Sequence, residues 1–310
     1  MLTEVTATQT RVTRYAFDAL NRLSSAQDPD GNTTSYSYDK VGNRVGMAHE
    51  NGIKSSYIYD ELNRLTSLNH TDASNVTLKQ FDYTLSANGK RTKIEEANGR
   101  TTDYTYDALY RLTGESIFDP ANASHNASYT YNRVGNRMFE VVNGVSTQYT
   151  YNNNDWLLQS GGTAYTYDAN GSATTETLDG GVTTYTYNAK NKLTSQNKAS
   201  VNTVYLYNAD GIRIGQGNST DQTLYTLDNN RSYAQVITEV KNGLEEVNYT
   251  YGDDLVSQKR SSVISAYHYD GLGSTRALSN QTGRMTDTYD YDAFGESLNR
   301  TGTTENNYLF

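Results

Sequence analysis

The chain of 310 residues contains no cysteine, two prolines and one tryptophan. The absence of cysteine excludes a disulfide framework, a thiolate nucleophile and a cysteine-ligated zinc site. No apolar run approaches the roughly 18 residues that a membrane-spanning helix needs, so we expect no membrane span. The N-terminal segment has no basic stretch followed by an apolar run, so no classical signal peptide is visible.

Positive charge is also scarce. Lysine and arginine number 26 against 35 acidic residues, and they are scattered singly along the chain. Because binding to nucleic-acid phosphates requires clustered positive charge, we expect no nucleic-acid partner. Low hydrophobicity is typical of disordered chains, but abundant tyrosine with little proline and no charge blocks does not fit that class.

Tyrosine is the residue present in excess, with 28 copies against six phenylalanines. A tyrosine ring is apolar on its face and polar at its rim. The pattern aromatic-x-aromatic-Asp/Asn recurs about every 21 residues, and only Tyr110 and Tyr233 lie outside its copies. The tyrosine pairs that define the repeat are Tyr36 and Tyr38, Tyr57 and Tyr59, Tyr104 and Tyr106, Tyr129 and Tyr131, Tyr149 and Tyr151, Tyr165 and Tyr167, Tyr185 and Tyr187, Tyr205 and Tyr207, Tyr267 and Tyr269, and Tyr289 and Tyr291.

Turn-forming residues keep register with these tyrosines. Asp30-Gly31 and Asn51-Gly52 each precede a tyrosine pair, and such dipeptides between alternating segments are typical of β-hairpins. A second polar turn follows each pair and alternates between two forms, as in Gly42-Asn43-Arg44 and Leu62-Asn63-Arg64. Each repeat therefore predicts strand, turn, strand, turn, which makes the chain an all-β protein of antiparallel hairpins.

The repeat also predicts how the sheet is arranged. Alternate residues of a strand point to opposite faces, so both tyrosines of a pair lie on one face. About thirty strands are too many for an open twisted sheet, so we predict one long coiled antiparallel sheet that forms a partial or complete shell or barrel. The tyrosines then either line a lumen or meet in a filled centre, and the sequence leaves both arrangements open.

The repeat closely resembles the Rhs/YD-repeat family over nearly the whole chain. Its most specific part starts at Tyr267-His-Tyr-Asp270 and is similar to the beginning of the Rhs-associated core. We therefore expect a repeat array over residues 1–266 and the start of this core over 267–310, continuous with the array. The core-motif residues are Gly271, Gly273, Arg276, Gly283 and Gly295.

The resemblance implies a β-shell spiralled around a large cavity, as in the C components of insecticidal toxin complexes, bacterial Rhs toxins and teneurins. In the toxins that shell sequesters a C-terminal effector, which an autoproteolytic segment releases. The sequence ends at Phe310, where the family continues into that segment, so the resemblance extends neither self-cleavage nor toxicity to this chain.

The leading functional hypothesis is a non-enzymatic β-shell that encloses or chaperones a polypeptide cargo such as a toxin effector. Its expected partners are that cargo or further repeats of a longer parent chain, with self-association through sheet edges. The alternative is an adhesion scaffold that binds a protein or glycan. Both place the protein outside a bacterial cell, secreted or at its surface.

No group of residues predicts catalysis, a cofactor or a metal. The aspartate or asparagine after each tyrosine pair is repeated too uniformly for acid-base chemistry and is typical of turns. The histidines, His49, His70, His125 and His268, show no ligand-like spacing. His268 lies between two tyrosines on the face expected to be exposed, so we predict a solvated or hydrogen-bonded side chain there.

Overall fold

The computed structural model describes residues 2–5 and 10–310. These residues form 29 strands and no helix, which confirms the predicted all-β class. Consequently, no described segment is a helix long and apolar enough to cross a membrane. The strands belong to one antiparallel sheet. Their bounds are β1 Leu2–Val5, β2 Thr10–Phe17, β3 Leu23–Gln27, β4 Thr33–Tyr38, β5 Arg44–Ala48, β6 Lys54–Tyr59, β7 Leu65–Thr71, β8 Thr77–Leu85, β9 Arg91–Glu96, β10 Thr101–Tyr106, β11 Leu112–Phe118, β12 His125–Tyr131, β13 Arg137–Val142, β14 Val145–Tyr151, β15 Leu157–Ser160, β16 Thr163–Tyr167, β17 Ala173–Leu178, β18 Gly181–Tyr187, β19 Leu193–Lys198, β20 Val201–Tyr207, β21 Arg213–Gly217, β22 Gln222–Asp228, β23 Gln235–Lys241, β24 Leu244–Tyr251, β25 Leu255–Arg260, β26 Val263–Tyr269, β27 Thr275–Ser279, β28 Met285–Tyr291 and β29 Ser297–Thr301.

The chain divides into two compact units. Unit 1 consists of Met1–His125 and Tyr249–Phe310, and unit 2 consists of Asn126–Asn248. In unit 1, strands β1 to β11 pair in chain order, and so do β25 to β29. In unit 2, successive strands pair in the same way from β12 to β24. The sheet is thus a series of hairpins, as the repeat predicts.

The turn after each tyrosine pair has one geometry whichever sequence form it takes. The amide of Asp39 donates to the carbonyl of Asn43 at 2.9 Å, and the Asp39 carboxylate accepts amides of the turn itself. The third residue after the aspartate adopts a left-handed conformation, with φ 102° at Gly42 and 58° at Asn63. Glycine and asparagine tolerate that region best, which explains why the two forms are interchangeable.

A β-bulge accompanies most tyrosine pairs. Ser37 is opposite Gly46 and Tyr38 is opposite Arg44, so the following strand carries one extra residue, Val45. The same register shift immediately before the second tyrosine recurs from Tyr59 to Tyr291. Bulges bend a strand and redirect its side chains, so the second tyrosine occupies a different environment from the first.

Burial differs between the units. In unit 2 the strands alternate, as in β16, where Tyr165 and Tyr167 are half-buried and Thr166 is exposed. In unit 1 the core includes Leu68 and Phe81, which are 1% and 0% exposed, and strand β27 is buried at every residue. Burial on both faces means that another layer covers the C-terminal strands within unit 1.

Candidate functional site

The C-terminal hairpins of unit 1 pack on the tyrosine face of its early hairpins. The Tyr38 hydroxyl lies 3.0 Å from Oδ2 of Asp253, and the Arg44 guanidinium lies 2.7 Å from Oδ2 of Asp254. We call this contact surface, between residues 23–125 and 249–310, the seam. In unit 1 the tyrosine face of the early hairpins is therefore covered by the chain itself.

The core-motif glycines lie in the C-terminal hairpins along this seam. The Gly271 amide donates to the Tyr83 hydroxyl at 2.7 Å, and a Cβ at Gly271 would lie 2.8 Å from side-chain atoms of Leu65 and Tyr83. Glycine is thus required by close approach at this position. The other three core-motif glycines, Gly273, Gly283 and Gly295, have left-handed φ angles of 92°, 78° and 86°.

Arg276 lies at the centre of a buried ion-pair network. Its guanidinium contacts Oε1 of Glu96 at 2.9 Å, Oδ1 of Asp290 at 2.7 Å and Oδ2 of Asp270 at 3.4 Å. It also donates to the Tyr289 carbonyl at 2.9 Å. Burial alone would lower the pKa of Arg276, but the three carboxylates outweigh that effect and raise it. Glu96 comes from the early hairpins, so this network links the two layers of the seam.

Three of the four histidines meet in the same seam. The His268 ring lies 5.2 Å from the His49 ring and 5.5 Å from the His70 ring, measured between centroids. Nε2 of His268 is 2.7 Å from the Ser279 hydroxyl, and one ring nitrogen of His70 is 2.8 Å from the Tyr269 carbonyl. The prediction that His268 lies on an exposed face is wrong, because the early hairpins cover that face and leave it 0% exposed.

Burial keeps these histidines neutral. Desolvation lowers the pKa of His49 and of His70 to about 4. It also holds the pKa of His268 well below its usual value, and the two neighbouring histidines add to the effect. A cavity of about 70 Å³ adjoins His49 and is lined also by Thr34 and Ala266. That volume suffices for a few water molecules, which would satisfy the unpartnered Nε2 of His49.

The second tyrosine of most pairs joins neighbouring hairpins through its hydroxyl. That hydroxyl donates to a main-chain carbonyl 10 to 15 residues earlier, at 2.6 to 2.9 Å. The donor and acceptor pairs are Tyr38 to Leu23, Tyr59 to Arg44, Tyr106 to Arg91, Tyr151 to Arg137, Tyr167 to Leu157, Tyr187 to Ala173, Tyr207 to Leu193 and Tyr269 to Leu255. At least eight of the twenty repeat-defining tyrosines therefore hold neighbouring strands together.

The first tyrosine of several pairs donates to a side chain nine residues earlier. In unit 2, Tyr185 donates to Glu176 at 2.7 Å and Tyr205 donates to Gln196 at 3.0 Å. In unit 1, Tyr267 donates to Gln258 at 3.1 Å. These hydrogen bonds fix the hydroxyl end of each ring.

None of the twenty repeat-defining tyrosines is exposed. The buried ones are Tyr36, Tyr129, Tyr149, Tyr267, Tyr289 and Tyr291. The half-buried ones are Tyr38, Tyr57, Tyr59, Tyr104, Tyr106, Tyr131, Tyr151, Tyr165, Tyr167, Tyr185, Tyr187, Tyr205, Tyr207 and Tyr269. In unit 2 the consecutive half-buried pairs form a row from Tyr165 to Tyr207, which we call the unit 2 tyrosine row.

Solved structures with a similar fold belong to toxin complexes. A Photorhabdus luminescens Tc holotoxin pore with a TccC3 variant matches with a TM-score of 0.73 at 16% identity, over 96% of this chain and 18% of that one. The TcdB2-TccC3-Cdc42 structure matches with a TM-score of 0.71 at 17% identity, over 96% of this chain and 18% of that one. The TcdB2-TccC3 structure matches with a TM-score of 0.70 at 17% identity, over 96% of this chain and 19% of that one. This chain thus spans less than a fifth of the length of each.

Sequence comparison identifies the family. No curated protein matches the chain. The RHS repeat profile matches residues 1–33 and 17–54, and the teneurin YD-shell profile matches residues 53–308, which is most of the chain. The early hairpins, the unit 2 tyrosine row and the core motif all lie within these matches, and the chain belongs to the teneurin YD-shell family.

Proposed function

We propose that this chain is a non-enzymatic wall segment of an Rhs-type β-shell that encloses or chaperones a polypeptide cargo. The fold supports the shell part of the proposal, because toxin-complex structures share it over 96% of the chain. Its partners are then a polypeptide or further repeats of a longer parent chain. We also propose a secreted or cell-surface location, since the structures that share this fold include a Tc holotoxin pore.

The observation that carries the cargo proposal is the unit 2 tyrosine row. The hydroxyls of Tyr185 and Tyr187 are fixed by hydrogen bonds to Glu176 and to the Ala173 carbonyl. The rings are nevertheless only half-buried and keep part of their surface in solvent. Fixed aromatic rings give contact area at little cost in side-chain entropy and do not require a particular partner sequence. Such a surface suits an unfolded chain held by many weak contacts.

Unit 1 has a different role in this proposal. Its tyrosine face is occupied by its own C-terminal hairpins, as the contacts of Tyr38 with Asp253 and of Tyr83 with Gly271 show. The buried Arg276 network lies in that same seam. We therefore assign unit 1 to the rigidity of the wall and unit 2 to contact with cargo.

Binding of a permanently unfolded polypeptide tests the proposal. We expect the full chain to bind fluorescently labelled carboxymethylated lactalbumin in an anisotropy titration. A variant with Tyr165→Ala, Tyr185→Ala and Tyr205→Ala should bind at least about tenfold more weakly, since each lost aromatic contact is worth of order 0.5 to 1.5 kcal/mol.

The matched control changes the opposite face of the same strands. Thr166→Ala, Thr186→Ala and Leu206→Ala alter exposed side chains between the same tyrosines and should leave binding unchanged. Circular dichroism checks that both variants keep their strands. Equal binding by the two variants, or no binding by the parent chain, would count against the proposal.

A further inference from the structure

Three side chains of the types that bind metals meet in unit 1. Glu115 comes from β11, His125 begins β12, and Asp292 follows β28. One ligand atom from each lies within 4.8 Å of the other two. The three residues are 3%, 8% and 7% exposed. Two carboxylates and an imidazole are therefore concentrated in a nearly dry site, in which Asp292 is also the turn residue of its repeat.

Two atoms of this cluster point into it without a partner. Oε1 of Glu115 and Nε2 of His125 are buried and make no hydrogen bond among the described residues. Nε2 of His125 lies 3.9 Å from the other Glu115 oxygen, beyond hydrogen-bond distance. Buried polar atoms in native proteins are almost always satisfied, so two such atoms in the same cluster indicate a missing ligand.

Asp292 differs from the turn aspartates Asp18 and Asp60, whose main-chain turn geometry it otherwise matches. In the turns at Asp18 and Asp60, the arginine four residues later donates to Oδ2 at 2.7 and 2.6 Å. At Asp292 that position is Glu296, whose carboxylate has no proton to donate at neutral pH. Oδ1 of Asp292 still accepts the amides of Phe294 and Glu296. Its own turn thus provides no side-chain donor for the second carboxylate oxygen.

We propose that Glu115, His125 and Asp292 bind one divalent cation of the zinc class. An imidazole nitrogen with two carboxylate oxygens is a ligand set that zinc accepts, with a water molecule as the fourth ligand. Calcium and magnesium prefer sites built wholly from oxygen and need more ligands than three side chains provide. Tetrahedral ligands are about 3.4 Å apart at zinc distances. The ligand atoms of His125 and Glu115 are 3.9 Å apart and those of all three residues lie within 4.8 Å of one another, so zinc binding needs each separation to shorten by about 1.4 Å or less.

The surrounding charges are compatible with a cation. The nearby Arg100 guanidinium lies 2.7 Å from Glu96 and 3.8 Å from Asp119, so its charge is already paired. Burial raises the pKa of Glu115 to about 7, and the Asp292 carboxylate adds to that shift.

Such a site would hold the last hairpins against the early ones. The Ala293 amide already donates to Oε2 of Glu115 at 2.9 Å, across 178 positions of the chain. A metal shared by Asp292, Glu115 and His125 would reinforce that contact independently of the Arg276 network. The inference is also independent of cargo binding, since the tyrosines of unit 2 play no part in it.

Zinc titration of the metal-free full chain tests the inference. We expect isothermal titration calorimetry to give one Zn²⁺ per chain and the melting temperature to rise with Zn²⁺ concentration. Co²⁺ in place of Zn²⁺ should give the visible absorption of a four-coordinate site. Glu115→Gln and His125→Gln should each weaken Zn²⁺ affinity at least about tenfold, by loss of a ligand.

Controls separate this site from other acids and histidines. Glu95→Gln, at an exposed carboxylate, and His49→Gln, in the histidine cluster of the seam, should keep the affinity of the parent chain. Asp292→Asn keeps a side-chain oxygen that can accept the turn amides of Phe294 and Glu296. It replaces Glu115→Gln or His125→Gln in the test if either of those variants misfolds. No binding by the parent chain, or equal binding by Glu115→Gln, His125→Gln and Asp292→Asn, would overturn the inference.

Discussion

The hydroxyl of Tyr59 donates a hydrogen bond to the main-chain carbonyl of Arg44 at 2.9 Å. The same relationship recurs at Tyr106 and Tyr187. Each bond connects a strand to the beginning of the strand before it, next to the bulge. The second tyrosine of a pair is therefore a clamp between neighbouring strands as well as part of an aromatic face.

Removing a clamp hydroxyl should destabilise the sheet locally. We expect Tyr59→Phe or Tyr187→Phe to lower the free energy of unfolding by about 1 kcal/mol, the usual contribution of one hydrogen bond. Urea denaturation followed by circular dichroism measures the change. Tyr233→Phe, at a ring that is 71% exposed and outside the repeats, should have no effect; an equal loss there would remove the clamp interpretation.

Tyr110 occupies a turn position that favours glycine or asparagine. Its φ is 62°, at the position where other turns have Gly42 or Asn63, and its side chain is 56% exposed. We expect Tyr110→Gly to raise the free energy of unfolding by about 1 kcal/mol, because the left-handed strain disappears and little packing is lost. Gly42→Ala should show the opposite sign, and a loss of stability in Tyr110→Gly would contradict this explanation.

The Arg276 network should be sensitive to loss of its cation. Arg276→Met removes the arginine partner of the Asp290 carboxylate and leaves Glu96 with Arg100 alone, so we expect a loss of about 3 to 5 kcal/mol. Arg22→Met, at the more exposed ion pair with Asp18, should cost at most about 1 kcal/mol. Chemical denaturation measures the free energy of unfolding of both variants. Similar decreases in the two variants would show that burial of the Arg276 network does not increase its contribution to stability.

The histidine cluster should make unit 1 less stable in acid. His49 and His70 have pKa values of about 4 in the folded chain against 6.5 as the ordinary value, so the unfolded chain binds protons first as pH falls. Stability is then complete above pH 6.5 and declines toward pH 4, by up to about 1.4 kcal/mol per pH unit for each histidine.

Denaturation midpoints measured between pH 7.5 and 5 would show this slope. His49→Gln removes one of the three groups, so its pH dependence should be shallower by about a third. A variant with the same slope as the parent chain would mean that other groups cause the acid sensitivity.

The local features of the fold follow from the sequence, because a hairpin needs only nearby residues. Tyrosine pairs such as Tyr185 and Tyr187, with turn residues in register, predicted strands, turns and the family. The bulge before the second tyrosine carries no separate sequence signal, because the extra residue, such as Val45, is an ordinary strand residue.

The contacts of the seam could not be predicted from local sequence patterns, because the residues that meet there are about 200 positions apart, as with His70 and the Tyr269 carbonyl. One signal was present. The residue between paired tyrosines is threonine in half of the ten pairs and is mostly exposed, whereas His268 occupies that position and is buried. Arg276 and Gly271 likewise break the repeat where the layers meet. Departures from a repeat thus mark its long-range contacts.

Photo-cross-linking tests most directly whether the unit 2 tyrosine row holds a polypeptide. Benzoylphenylalanine at position 165 replaces a half-buried ring of that row, and at position 166 it lies on the opposite, exposed face of the same strand. With carboxymethylated lactalbumin as the unfolded probe, we expect strong cross-linking from position 165 and little from position 166. Equal or reversed yields would contradict the assignment of the tyrosine face to cargo.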